Sequence, residues 1–288
     1  MNPGTLFVVA TPIGHLGDLS PRAAETLSQV AVIAAEDTRV SRRLLQHIGC
    51  DTPMLSLHDH NESQRVAGLL ERLQAGDDVA LISDAGTPLI SDPGYTLVRA
   101  VRAAGVKVVP IPGPSALITA LSVAGLPTDR FVFEGFLSAK PAARRARLKA
   151  LAQESRTLIF YESPHRILAT LADLRDVLGA GREAVVAREL TKTFETLHGD
   201  RLDALYEWAQ ADSNQQRGEF VLVVAGAEVV TEAPAVDEAH LLSVLLEELP
   251  VKQAASLAAR ITGGKRNALY NKALALQKSK SPDPPRVS

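Results

Sequence analysis

Short continuous apolar runs recur along the first third of the chain, each ended by small or polar residues. Thr5 to Ala10 (TLFVVA), Ala31 to Ala35 (AVIAA), Val79 to Ile82 and Val106 to Ile111 have the length and unbroken apolarity of strands buried on both faces of a parallel sheet. The segments between them read as helices. Ser20-Pro21 supplies an N-cap and a first helical residue. Thr38 caps the helix VSRRLLQHIG, which stops at Gly49, and Asn61-x-x-Gln64 forms a capping box for a helix that closes at Gly76. A further helix spans Tyr95 to Ala104. After a Pro112-Gly113-Pro114 joint, where Ser115 begins a helix, the alternation resumes from about residue 118. Strands are predicted at Arg130–Phe136, Arg156–Tyr161, Glu183–Arg188, Phe194–His198 and Glu219–Ala225, with helices starting at Pro141, Pro164 and Leu202. Longer loops and a hairpin predict a mixed sheet here.

This pattern predicts an α/β protein of two α/β domains, residues 1–112 and 113–228, with a cleft between them. A linker at 229–237 leads to a helical segment at 238–279. There two amphipathic helices flank Thr262-Gly263-Gly264 in the manner of a helix-turn-helix. Such a pair binds either nucleic acid or protein. The tail 280–288 is predicted to be disordered.

One stretch departs from this rhythm. LISDAGTPLISDPG (Leu81–Gly94) leaves a strand, carries no side chain larger than Leu or Ile, and enters a helix. In open α/β sheets, ligands bind outside the carboxyl ends of strands, so this loop reads as a platform for a small molecule rather than a plain connection. The G-x-G-x-x-G pattern is absent after the first strand, which disfavours a dinucleotide site. Pro114-Ser115 opens a helix whose free N–H groups suit a carboxylate, or else serves as a rigid hinge.

Composition narrows the function classes. A net charge of −2 argues against non-specific coating of nucleic acid, and 4% aromatic content argues against recognition dominated by stacking. Cys50 is the single cysteine, so neither an internal disulfide nor a thiolate cluster is available. His58-Asp59-His60 lacks an evident third ligand, and no metal is expected. No signal peptide and no membrane-spanning run is evident, so a cytoplasmic protein without membrane contact is expected.

Three strand ends carry an acid beside a base: Glu36/Arg39, Glu162/Arg166 and Glu189/Lys192. Singly these are ordinary surface ion pairs; repeated at one kind of position they point to a polar cleft. Lys140 to Lys149 holds five basic residues in ten and no acid. It is either a solvated helix face or a phosphate contact, with Lys140, Arg144, Arg145 and Arg147 as its candidates, joined by Arg39, Arg166 and Lys192.

Six strings, TPIGHLGDLSPRA, AAEDTRVSRRLL, SDAGTPLISDPG, PIPGPSALITAL, FYESPHR and ARELTKTFE, together resemble the ribosomal RNA small subunit methyltransferase I family of the tetrapyrrole methylase superfamily. The resemblance covers nearly the whole chain. It implies S-adenosyl-L-methionine held between two α/β domains, 2′-O-methylation of a decoding-centre cytidine in 16S rRNA of the small ribosomal subunit, and a homodimer, with no DNA partner. It places Asp84, Gly86, Thr87, Ser115 and Ala116 at the methyl donor, with Pro12, Tyr161 and Phe220 as further contacts. A ribose hydroxyl is a poor nucleophile, and the candidates for its base are Glu36, Asp37, Glu189 and His165. A tetrapyrrole C-methyltransferase and a non-catalytic RNA-binding assembly factor are the alternatives. The first leaves the basic block unused, and the second leaves the Leu81–Gly94 loop without a purpose.

Overall fold

In the computed structural model, which describes residues 2–58, 62–228 and 237–280, the first sheet is built by strict alternation. Its elements are β1 (Thr5–Val9), α1 (Pro21–Gln29), β2 (Val32–Ala35), α2 (Thr38–His47), β3 (Met54–Ser56), α3 (Glu62–Ala75), β4 (Val79–Ile82), α4 (Tyr95–Ala103) and β5 (Lys107–Ile111). The strands lie in the order β3-β2-β4-β1-β5 and every pairing is parallel. Leu6 and Leu81 pack on one face with Leu73 and Leu97; Val9, Ile33 and Ile82 pack on the other with Leu27 and Leu45. Burial on both faces is why these strands read as unbroken apolar runs.

Two local expectations change. β3 is a three-residue, half-buried edge strand with no apolar run to announce it. The cap of α2 is Asp37, whose carboxylate accepts the Arg39 N–H at 2.8 Å, and Thr38 is instead the first helical residue. The predicted Asn61 capping box lies outside the described residues.

The chain continues with α5 (Ala116–Val123), β6 (Phe131–Phe136), α6 (Pro141–Leu151), β7 (Thr157–Glu162), α7 (Ile167–Leu178), β8 (Glu183–Arg188), β9 (Thr196–Arg201), α8 (Leu202–Ala211) and β10 (Phe220–Val224). The second sheet is mixed: its order is β6-β7-β10-β8-β9, with only β6 and β7 parallel. α7 begins at Ile167, three residues beyond Pro164, because Ser163 to Arg166 form a turn closed by Arg166 N–H to the Ser163 carbonyl at 3.1 Å. One face of this sheet packs on α6, α7 and α8 through Leu148, Phe160, Leu171 and Leu205. On the other face, Ile159, Val185 and Val221 share a core with Leu117 and Leu121 of α5 and with Ile13, which follows β1. Loop residues that follow strands of the first sheet therefore share an apolar layer with the second sheet, and residues 1–228 form one compact unit.

The described residues 237–280 belong to a second unit. Among the described residues it contains the two helices expected around Thr262-Gly263-Gly264, α10 (Val251–Thr262) and α11 (Arg266–Lys280), preceded by a further one, α9 (Glu238–Glu248). Asp237 caps α9, accepting the N–H groups of Ala239 and His240. Gly263, at φ +72°, ends α10 in the left-handed conformation. Ala255, Ala258 and Ala273 allow close approach around Leu242 and Leu269. Residues 229–236 of the predicted linker and 281–288 of the predicted tail lie outside the described residues. Among the described residues no helix is long and apolar enough to cross a membrane.

Candidate active site

The carboxyl ends of four parallel strands converge on one place. Beyond β1, Thr11 exchanges two backbone hydrogen bonds with Gly86, at 2.9 and 3.1 Å, and the Thr11 hydroxyl donates to the Ser83 carbonyl at 3.2 Å. Beyond β4, Thr87 Oγ1 donates to the Pro114 carbonyl at 3.0 Å, which ties in the joint after β5. Beyond β2, the Asp37 N–H donates to Asp84 Oδ1 at 3.0 Å. Gly86 has φ +87°, and a Cβ there would meet Ile13 Cγ2 at 3.3 Å. Conformation and crowding together call for glycine.

The second sheet closes the space from the other side. Tyr161 of β7 accepts the Leu117 N–H at 3.2 Å through its hydroxyl, so one of the N–H groups at the start of α5 is already used. Burial, with the Asp92 carboxylate nearby, pushes the Tyr161 phenol up and keeps it neutral. The loop after β8 reaches back to the first sheet, where Thr191 Oγ1 accepts the His15 N–H at 3.1 Å. A Cβ on Gly14 would lie 2.6 Å from Lys192 Cγ. Among the described residues, the only non-glycine positions with positive φ are Leu89, Ser91, Glu189 and Thr191, two in each of the facing loops. Strained backbone of this kind collects at functional sites.

Between the sheets lies a cavity of ≈ 410 Å³, within the ~300–1,000 Å³ usual for small-molecule sites. Asp84, Gly86, Thr87, Ser115, Ala116, Tyr161 and Phe220 line it. Pro12 does not; the next residue, Ile13, takes that wall. Ser91, Asp92, Leu190 and Val221 complete walls that sequence reasoning did not assign, although SDPG had marked the stretch containing the first two. Among the described lining residues are five carboxylates (Glu36, Asp84, Asp92, Glu162, Glu219) and no Lys or Arg. Glu162 is balanced by Arg166 at 2.7 Å and Glu219 by Lys192 at 2.8 Å. Partial burial raises the Asp84 carboxyl above its ordinary value.

Of the four base candidates, Glu36 alone lines the cavity. Asp37 is engaged as a helix cap and by the Arg39 guanidinium, which holds its carboxyl down at about 2. Glu189 accepts from Lys192 Nζ and from the Glu219 N–H, both at 2.9 Å. Burial pushes its carboxyl up, but these hydrogen bonds outweigh it and the net shift is downward. His165 is exposed in the turn before α7.

The basic block is not the free cationic face that its sequence suggested. Arg144 is 4% exposed, with Nε 2.7 Å from Asp173, and Arg145 shares the same carboxylate. Arg147 makes a bidentate pair with Glu134, both contacts at 2.7 Å. The block stitches α6 to α7 and β6. Arg39, Arg166 and Lys192 are paired with carboxylates as well. Lys140 is exposed and makes no ion pair among the described residues.

A family model described as Tetrapyrrole (Corrin/Porphyrin) Methylases matches residues 5–206, and one described as RsmI C-terminal HTH domain matches residues 232–277. Ribosomal RNA small subunit methyltransferase I of Pseudomonas aeruginosa is 59% identical, covering 96% of this chain and 99% of that protein. The protein of the same name from Escherichia coli O157:H7 is 55% identical over 95% and 96%. Among solved structures, uroporphyrin-III C-methyl transferase from Thermus thermophilus, complexed with S-adenyl homocysteine, has a TM-score of 0.54 at 17% identity. It covers 77% of this chain and 97% of that one, a likeness of fold.

Proposed function

This chain belongs to the tetrapyrrole methylase family, and on that premise we propose that it methylates small-subunit ribosomal RNA with S-adenosyl-L-methionine. The acceptor is the ribose 2′-oxygen of a decoding-centre cytidine in 16S rRNA, and the working form is a homodimer. The observation that carries this reading is the cavity between the sheets, whose described walls combine small flat apolar groups with carboxylates and hold no Lys or Arg. That donor set suits a cationic small molecule and repels a phosphate. Residues 50–59% identical between this chain and relatives named ribosomal RNA small subunit methyltransferase I support the choice of substrate.

When bound, S-adenosyl-L-methionine supplies an electrophilic methyl group on a positively charged sulfur. Asp84, Gly86, Thr87, Ser115, Ala116 and Phe220 would hold it. The Gly86 backbone, left bare of a Cβ and clamped to Thr11, gives a flat wall, and the tied loops after β1, β4 and β5 keep that wall rigid. Transfer to oxygen demands an in-line approach, so rigid placement is the main contribution of the protein. Glu36, which lines the cavity, takes the 2′-hydroxyl proton in this reading, a role worth ~10²–10⁴-fold in rate. Lys192 is held as a cation: burial lowers its pKa, but its bonds to Glu219 and Glu189 outweigh this and raise it.

The test is transfer of labelled methyl from S-adenosyl-L-methionine to small-subunit particles, free RNA and porphyrin precursors, with nuclease mapping of the product. Label on a ribose of the small-subunit RNA is expected. Label on a base, on protein or on a tetrapyrrole would sink the reading.

A further inference from the structure

Composition argued against recognition by stacking, yet the structure holds one aromatic ring where stacking would matter. Of the exposed aromatic residues described, Phe136 alone lines the cavity; it is 54% exposed. A large apolar side chain this exposed on a cavity wall has no share in the core to explain it.

Its placement is built by an irregularity in the sheet. β6 pairs with β7 through Phe133↔Ile159, Gly135↔Phe160 and Phe136↔Tyr161, with a bulge between Phe133 and Gly135. Simple alternation would put Phe136 on the face opposite Phe133. The bulge adds one residue, so both rings fall on the Tyr161 face. Each makes an edge-to-face contact with Tyr161, at 4.9 Å and 70° for Phe133 and 5.6 Å and 62° for Phe136. Gly135 makes the bulge feasible, with φ +61°. The Arg166 guanidinium stands 6.0 Å from the Phe136 centroid. It is fixed by Glu162 at 2.7 Å, the Ser163 hydroxyl at 3.1 Å and the Leu137 carbonyl at 3.0 Å.

We infer that Phe136 is a base-stacking residue, the platform on which an unstacked nucleobase of the RNA substrate lies while its ribose is presented to the cavity. This rests on the proposed RNA methylation and adds to it a specific contact. The ring sits on the edge strand of the second sheet and lines the same cavity as Asp84, Gly86 and Thr87, the residues assigned to the donor. Sequence-specific RNA recognition commonly splays bases onto aromatic side chains. A ring already braced by Tyr161 and Arg166 loses little conformational freedom on doing so. The paired Arg166 thereby acquires a different role from the phosphate contact first expected of it: it braces the platform.

The experiment compares wild type with Phe136→Ala, Phe136→Leu and Phe136→Trp, all checked for unchanged Tm. Methyl transfer is measured against the concentration of small-subunit particles, and S-adenosyl-L-methionine affinity by calorimetry. Loss of the ring should lower kcat/KM for particles about 5- to 150-fold in Ala and Leu alike. Trp should restore it, and donor affinity should be the same in all four. A Leu variant as active as wild type overturns the inference, since apolarity without a π face would then suffice. Donor affinity falling in step with kcat/KM also overturns it by placing the ring on the donor. If wild type itself fails to methylate RNA, the functional reading fails first; if only the variants behave as wild type, the stacking inference alone falls.

Discussion

The first sheet brings loops to the cavity through backbone hydrogen bonds, whereas the second brings side chains fixed by ion pairs. Thr11 with Gly86, Asp37 with Asp84, and Thr87 with Pro114 use main-chain groups on at least one side. Across the cavity, Glu162 with Arg166 and Lys192 with both Glu189 and Glu219 are charge pairs, and behind them Arg144 with Asp173 locks two helices. A parallel sheet gathers its strand ends along one edge, so neighbouring loops can bind one another directly. A mixed sheet scatters its strand ends to both edges, and longer side chains must span what loops do not.

Substitutions separate the two modes of support. Arg144→Ala, on the side-chain side, should cost about 3 kcal/mol in urea unfolding, the low end for a broken buried pair because Arg145 still meets Asp173. An Arg144→Ala protein as stable as wild type would show that the second half does not depend on its charges. Gly86→Ala, on the backbone side, should cost about 1–2 kcal/mol for a left-handed alanine and weaken S-adenosyl-L-methionine binding in calorimetry. Full donor affinity in that variant would mean that the clamp is not the donor wall.

Asp84→Asn should have the smallest effect on stability and the opposite sign. Burial raises the Asp84 carboxyl above its ordinary 3.8. A raised folded pKa gives a contribution that is full below the unfolded value and lost as pH rises through the folded one. At neutral pH the wild type therefore carries a partly desolvated charge that asparagine removes, while asparagine can still accept the Asp37 N–H. Tm should rise slightly at neutral pH and match wild type in acid, while donor affinity falls. A Tm that drops at neutral pH would show that the charge itself holds the loop.

Much of the scaffold was legible because burial on two faces writes itself into sequence as unbroken apolar runs, and the donor-side loop showed as a stretch of small residues at a strand end. What escaped notice depended on distant partners. Arg144 lies in a block that resembles a solvated face, and Asp173, which buries it, stands 29 positions away. Alternation would have turned Phe136 away from Tyr161; only a bulge, hinted at by Gly135, returns it. β3 escaped because three half-buried residues carry no period.

The strand order has a consequence for synthesis. The first sheet needs nothing beyond Ile111, so it can close while the rest of the chain is still being made. The second sheet cannot, because its middle strand, β10, comes last in this unit and inserts between β7 and β8, which were made earlier. Until Val224 has emerged, those two strands have a gap between them and the cavity lacks Phe220 and Val221. A nascent chain therefore acquires the Asp84–Thr87 wall of the cavity early and its enclosure only at the end, so incomplete products carry half a cavity.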